Sequence, residues 1–202
     1  KPVRTLPIET IRERLMEIHR HGIKNVRVLD RTFNYNNKRA KELLNLFLEF
    51  SPDICFHLEI HPALLSEELK KELAGLPKGL LHLEAGIQSL REPVLEQSRR
   101  MGRLSDALDG LKYLCSLHNM ETHADLIAGL PLYHLSEIFE DIHTLAEYGA
   151  GEIQLESLKL LPGTEMRRRA EELGIQYAPL PPYEVLQTRE ISVDELQTAR
   201  VL

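Results

Sequence analysis

Cysteine is scarce in this chain: Cys55 and Cys115 are the only two among 202 residues. Two isolated thiols form neither a disulfide framework nor a metal knuckle, so a reducing compartment is expected. Positive charge is also short. Lys and Arg number 25 against 31 Asp and Glu, a net charge of −6. That balance counts against a general nucleic-acid binder, which would be basic. No apolar run approaches the roughly 18 residues of a membrane helix, and no signal peptide opens the chain. A cytoplasmic location without membrane contact is therefore expected. The first residue is Lys1 rather than Met, as expected of a piece of a longer protein. Low-complexity sequence is missing, and no linker precedes a stretch holding Pro179, Pro181 and Pro182.

What is present suits one globular core. Hydrophobic residues make up 43% and charged residues 28%, ordinary values for a soluble domain. Ile8, Ile11, Leu15 and Ile18 recur at helical spacing and predict a helix over 8–21, with Pro7 in its first turn and Gly22 closing it. Helices are also expected over 39–50, 66–74, 92–100, 105–118, 135–148, 164–173 and 193–201. Ser66 and Ser192 are the expected N-caps of two of them, and Gly149 closes the one over 135–148. Strands are expected over 23–30, 54–60, 80–87, 122–128 and 152–159. This β-then-α order repeats at spacings of about 30 residues, as βαβ units do. Parallel strands with crossover helices follow, in an α/β barrel or a doubly wound sheet.

The strands carry an unusual polar face. Side chains alternate along a strand. Phe56, Leu58 and Ile60 therefore share one face, opposite His57, Glu59 and His61. Leu81, Leu83 and Ile87 oppose His82, Glu84 and Gln88. His123 and Asp125 share a parity, and Gln154 and Glu156 oppose Ile153 and Leu155. A closed barrel fills its interior with branched apolar side chains, and a doubly wound sheet is apolar on both faces. A wide or incomplete barrel with a ligand-binding inner wall accommodates the pattern. Any one of these residues could instead be a strand-end group reaching solvent. The repetition over four strands points inward.

Three segments lie at or just after strand carboxyl ends, where α/β folds place ligands. They are His57–Leu–Glu–Ile–His–Pro62, then Glu84–Ala–Gly–Ile–Gln–Ser89 with Arg100 twelve residues after Gln88, and Asp125–Leu–Ile–Ala–Gly–Leu–Pro131 followed by Glu137. Together they resemble the core of a radical S-adenosylmethionine (SAM) enzyme. The likeness runs from about Val3 to Leu161, and is closest to the oxygen-independent coproporphyrinogen III oxidase-like and cobalamin-domain groups.

The resemblance implies a partial (β/α)6 TIM-like barrel, of which this α/β chain supplies strands two to six with outer helices. Residues 1–175 would form the barrel core, and 176–202 a Pro-rich crossover and the start of a C-terminal extension. Glu59 would accept hydrogen bonds from the ribose hydroxyls of S-adenosylmethionine. Gln88 and Arg100 would hold the sugar and the methionine carboxylate, a guanidinium matching a carboxylate through paired donors. Asp125 would touch the nucleoside. Gly129 would let the backbone approach the adenine, and Leu158–Lys159–Leu160 would add backbone contacts. The segment Asp30–Arg–Thr–Phe–Asn34 stands where the family has its motif for the methionine amino group, and is Gly-poor here.

The resemblance also implies a 4Fe-4S cluster on a Cys-x3-Cys-x2-Cys loop, with cobalamin in the cobalamin-domain branch. The expected activity is that of an oxidoreductase that generates a 5′-deoxyadenosyl radical. A small-molecule substrate and an electron donor such as flavodoxin or ferredoxin would be its partners. This chain has no such cysteine loop. Cys55, on a strand, and Cys115, on a helix, read as small buried apolar residues. The cluster ligands are thus expected upstream, and this piece alone is expected to be inactive.

Two other readings stand beside this one. His57, Glu59, His61, His82, His123 and Asp125 on inner strand faces would suit a Zn- or Mn-dependent barrel hydrolase or isomerase. A barrel without its cluster could also be a non-catalytic nucleoside-binding domain.

Overall fold

The computed structural model describes residues 4–30, 32–100 and 102–201. Lys1, Val3, Arg31 and Leu202, on which some of the expectations touch, lie outside the described residues.

Five strands form one parallel sheet: β1 (Asn25–Val28), β2 (Cys55–Ile60), β3 (Leu81–Gln88), β4 (Glu121–Ala128) and β5 (Glu152–Ser157). Their spatial order is their chain order. That order separates the two architectures that periodicity left open. A doubly wound sheet reverses strand order at a switch point; this sheet never does, and it is an arc of a barrel. Helices α1 (Ile8–Arg20), α2 (Asn37–Leu48), α3 (Glu67–Ala74), α4 (Glu92–Gln97), α5 (Leu104–Cys115) and α6 (Leu135–Glu147) precede and link the strands.

The apolar strand faces meet the helices. Phe56, Leu58, Leu83, Ala85, Ala124 and Leu126 are all buried. Phe47 of α2 stacks on Phe56 with ring centroids 4.0 Å apart. Burying one such side chain is worth about 1.5–3 kcal/mol, so this face fixes the strand register. A one-residue slip would turn the polar face into the core. The caps are as expected: the Ser66 side chain accepts from the Leu69 N–H, and that of Ser192 from the Glu195 N–H.

Several expectations need correction. β1 covers only 25–28 of the strand expected over 23–30. The helix expected over 92–100 stops at Gln97, and that over 164–173 is a single turn, α7 (Glu165–Arg168). Within the Pro-rich stretch, β6 (Gln176–Tyr177) and β7 (Val185–Gln187) pair antiparallel, strands that periodicity did not show. The final helix, α8 (Val193–Ala199), follows. Cys55 and Cys115 are only half-buried, because Cys55 lies on the polar parity of β2 and Cys115 ends α5. A second apolar cluster around Leu130, Tyr133, Leu160, Val185 and Leu196 packs the C-terminal segment onto the end of the sheet.

Candidate cofactor-binding site

The polar parities of β2, β3 and β4 converge as the alternation requires. Glu59 lies beside Glu84, and Glu84 beside His123, in the sheet register. At the carboxyl ends of these strands is a cleft of about 570 Å³, lined by Thr32, Glu59, Glu84, Gln88, Arg100 and Asp125 among others. That size suits a nucleotide-sized ligand.

Local chemistry holds each group in place. Arg100 Nη2 donates to the Gly86 carbonyl at 2.6 Å. A Cβ on Gly86 would come within 2.7 Å of Gln88 Nε2 and 3.2 Å of Arg100 Nη2, so a side chain there would push the ends of both side chains aside. Gln88 has φ +75, where the register with β4 shifts. A non-glycine residue in that region is strained, and the strain sits on a residue that lines the cleft. Asn34 staples the loop after β1 to the end of β2. Its Nδ2 donates to the His61 carbonyl at 2.9 Å, and its Oδ1 accepts from the His61 N–H at 2.9 Å.

The cleft is rich in carboxylates. Burial and the neighbouring Glu84 carboxylate push Asp125 up to about 8. Burial would raise Glu84 too, but the hydrogen bond from His57 and the charge of Arg27 outweigh it and hold Glu84 below its ordinary value. Burial lowers Arg100, partly offset by the Asp125 charge.

A native pKa above the ordinary 3.8 means that folded Asp125 keeps a proton which the unfolded chain releases. Its contribution is therefore fully present below about pH 4 and lost as pH rises towards 8. Asp125→Asn, which cannot ionise, should accordingly gain thermal stability over the parent at pH 8.5 relative to pH 5. Melting curves in chelator-containing buffer measure this; an equal difference at the two pH values contradicts it.

Four of the six expected ligand residues, Glu59, Gln88, Arg100 and Asp125, meet at this cleft. The other two do not line it. Gly129 has φ +88, and a Cβ there would lie 3.3 Å from Val185 Cγ1 and 3.6 Å from Leu196 Cδ2. The close approach that this glycine permits here is that of the C-terminal segment. The Lys159 ammonium lies 3.6 Å from Glu156. The backbone at Leu158–Leu160 is engaged by the same segment: Val185 N–H donates to the Leu158 carbonyl at 2.9 Å, and Leu160 N–H to the Tyr183 carbonyl at 2.8 Å.

One set of supporting residues escaped the sequence reading. Asp141 of α6 is 1% exposed. Its carboxylate accepts from Tyr133 Oη at 2.6 Å, Leu90 N at 2.8 Å and Arg91 Nε at 2.9 Å. It ties the loop after Gln88 to the loop after β4. The available signal was an acid at core spacing, between the buried Ile138 and Leu145.

A parallel barrel arc with a charged cleft at its strand carboxyl ends defines a partial α/β barrel with a candidate ligand site. The family profile for the radical SAM superfamily matches residues 1–145, and the chain belongs to that superfamily. Three solved structures share the fold. The radical S-adenosylmethionine methyltransferase TsrM from Kitasatospora setae, with tryptophan and a SAM analogue bound, is 17% identical with a TM-score of 0.69; the match covers 88% of this chain and 36% of TsrM. The cobalamin-dependent S-adenosylmethionine radical enzyme OxsB is 13% identical with a TM-score of 0.63, covering 98% and 36%. Coproporphyrinogen III oxidase (HemN) from Escherichia coli is 15% identical with a TM-score of 0.53, covering 90% and 50%. The chain thus spans between 36% and 50% of the length of these structures. No curated protein matches the sequence. Among the described residues, no helix is long and apolar enough to cross a membrane.

Proposed function

We propose that the cleft binds S-adenosylmethionine, as the cofactor-binding core of a radical SAM oxidoreductase. The observation that carries this is the meeting of Glu59, Gln88, Arg100 and Asp125, from separate segments, on one cleft at the strand carboxyl ends. Glu59 accepts from the ribose hydroxyls. Gln88 and Arg100 hold the sugar and the methionine carboxylate; one Arg100 donor is committed to Gly86, and the guanidinium has others to offer. Asp125, which also lines the cleft, touches the nucleoside. When bound and reduced, S-adenosylmethionine supplies a 5′-deoxyadenosyl radical; the barrel's part is to orient it and exclude water.

The residues present do not fit a 4Fe-4S cluster. The chain has two cysteines, on β2 and α5, where three closely spaced thiolates are needed, and burial pushes both thiols up. We place the cluster ligands outside these 202 residues. A small-molecule substrate, an electron donor such as flavodoxin or ferredoxin, and any cobalamin belong to the whole protein, and no residue of this cleft is assigned to them.

Calorimetric titration of the chain with S-adenosylmethionine and S-adenosylhomocysteine tests the proposal. Glu59→Ala and Arg100→Lys should each weaken binding about tenfold or more. A hydrogen bond involving a charged group is worth about 1.5–3 kcal/mol, and Lys is only a point charge where Arg presents a fork. No binding by the parent chain, or unchanged affinity in both variants, overturns the assignment.

A further inference from the structure

Below the cleft, the same strand faces carry a second group of ligating side chains. His57 precedes Glu59 by two residues and His123 precedes Asp125 by two, so each lies one pleat deeper in the barrel wall. His57 Nε2 donates to Glu84 Oε2 at 2.8 Å. His123 Nε2 lies 3.6 Å from Glu84 Oε2 and 3.6 Å from Asp125 Oδ1. The ring nitrogens of His57 and His123 and a carboxylate oxygen of Glu84 all fall within 4.8 Å of one another.

Two of these atoms lack the partners that burial demands. The His123 side chain is 6% exposed, and its Nε2 has no hydrogen-bond partner among the described residues. Asp125 Oδ1 is in the same position. A protonated Nε2 facing two carboxylates would draw one of them to about 2.8 Å; at 3.6 Å neither accepts from it. The ring is better described with its proton on Nδ1, donated to His82 Nε2 at 2.9 Å. That leaves a lone pair on Nε2 aimed at the Glu84 carboxylate and the Asp125 carboxyl. The Nε2 lone pair, the Glu84 carboxylate and the Asp125 carboxyl surround one buried point, where a cation would replace the Asp125 proton.

We propose that His57, Glu84 and His123, with Asp125 as fourth ligand, bind one divalent transition-metal ion of the zinc class inside the barrel wall. Ligands at about 2.0–2.2 Å around a tetrahedral ion stand roughly 3.4 Å apart, close to the two 3.6 Å separations already present. The 2.8 Å His57–Glu84 contact opens when the metal replaces the His57 proton. Imidazole and carboxylate donors select Zn2+, Co2+ or Ni2+ over Ca2+ or Mg2+. The outer partners are in place: His82 behind His123, and Arg27 on the Glu84 carboxylate. Such partners orient ligands and tune their basicity. A second cavity, of about 570 Å³, lined by His82, Glu121, His123 and Glu152 at the amino ends of β3–β5, gives the ion a route from the side opposite the cofactor cleft.

Cobalt titration of the whole chain without S-adenosylmethionine tests the proposal separately from the cofactor assignment. We expect about one equivalent of Co2+ to bind with the visible absorption of a tetrahedral site, and Zn2+ to displace it. His57→Gln and His123→Gln should each weaken binding about tenfold or more. His21→Gln and His143→Gln, which remove surface histidines paired with Glu17 and Glu147, should leave it unchanged. Absence of a tetrahedral spectrum, retention in both buried-site variants, or loss in the surface variants overturns the proposal. Should a buried-site variant fail to fold by circular dichroism, Zn2+ protection of His57 and His123 from diethyl pyrocarbonate in the unaltered chain decides, and equal labelling with and without Zn2+ rejects the site.

Discussion

Asp141→Ala is expected to destabilise the protein by about 3–5 kcal/mol, the range for breaking a buried charged network. The Asp141 carboxylate is the shared acceptor for Tyr133, Leu90 and Arg91, and Ser89 Oγ approaches it at 3.4 Å. Truncation strands a fully buried phenol and a backbone N–H, and leaves the Arg91 guanidinium with Glu140 on the more exposed side. Domains are stable by only about 5–15 kcal/mol, so the loss is a large fraction of the total. Tyr133→Phe removes one donor and keeps the acceptor, and should cost only about 1 kcal/mol. The contrast between the two variants is the diagnostic, read from urea unfolding. The consequence reaches the cleft. Asp141 anchors the turn that follows the left-handed Gln88, so a freed turn lets Gln88 relax out of the cleft. A loss in Asp141→Ala no greater than that in Tyr133→Phe would falsify the shared-acceptor role.

Much of this architecture was legible because the governing signals are local. A period of two placed His57, Glu59, Glu84, Asp125 and Glu156 on one wall, and the sheet register confirms the pairing of these rows. Helical periodicity located the crossover helices, and side-chain caps fixed the starts of α3 and α8. What stayed hidden depends on contacts between distant residues. The strain at Gln88 arises from a shift in pairing against β4, which no spacing rule reports. Asp141 serves partners 50 to 52 positions away. Gly129 was legible as a position of close approach, but not what approaches: Val185 arrives from β7, in a hairpin within the Pro-rich stretch, and Leu196 from α8. The histidines were visible as a set. Their sorting into a clustered trio (His57, His82 and His123, with ring centroids 4.6–5.4 Å apart) and the rest required the barrel curvature.

Gly110→Ala sets helix propensity against packing, and packing should win. Gly110 lies inside α5, where alanine is intrinsically favoured by about 1 kcal/mol. A Cβ at this position would lie 2.2 Å from the Pro62 carbonyl oxygen and 2.7 Å from its carbon. Both atoms are backbone, so no side-chain rotation relieves the overlap; α5 or the turn at Pro62–Leu64 must move by about 1 Å. Overpacking of this kind costs about 1–3 kcal/mol, occasionally more. With so severe an overlap, the upper end applies, and the net loss should be about 2 kcal/mol after the propensity gain. For a chain of this length that lowers Tm by about 4–8 °C. The displacement also has a direction. Pro62 follows His61, whose backbone is paired with Asn34 and which lines the cofactor cleft beside Ile60. S-adenosylmethionine affinity should therefore fall with stability. Gly75→Ala is the matched control: it caps α3 in right-handed backbone, and its Cβ would meet nothing nearer than 3.6 Å. That variant should stay within about 0.5 kcal/mol of the parent, as surface substitutions do. Equal melting temperatures for the two variants would show that α5 does not rest on Pro62, and the route from helix packing to the cleft would fall with it.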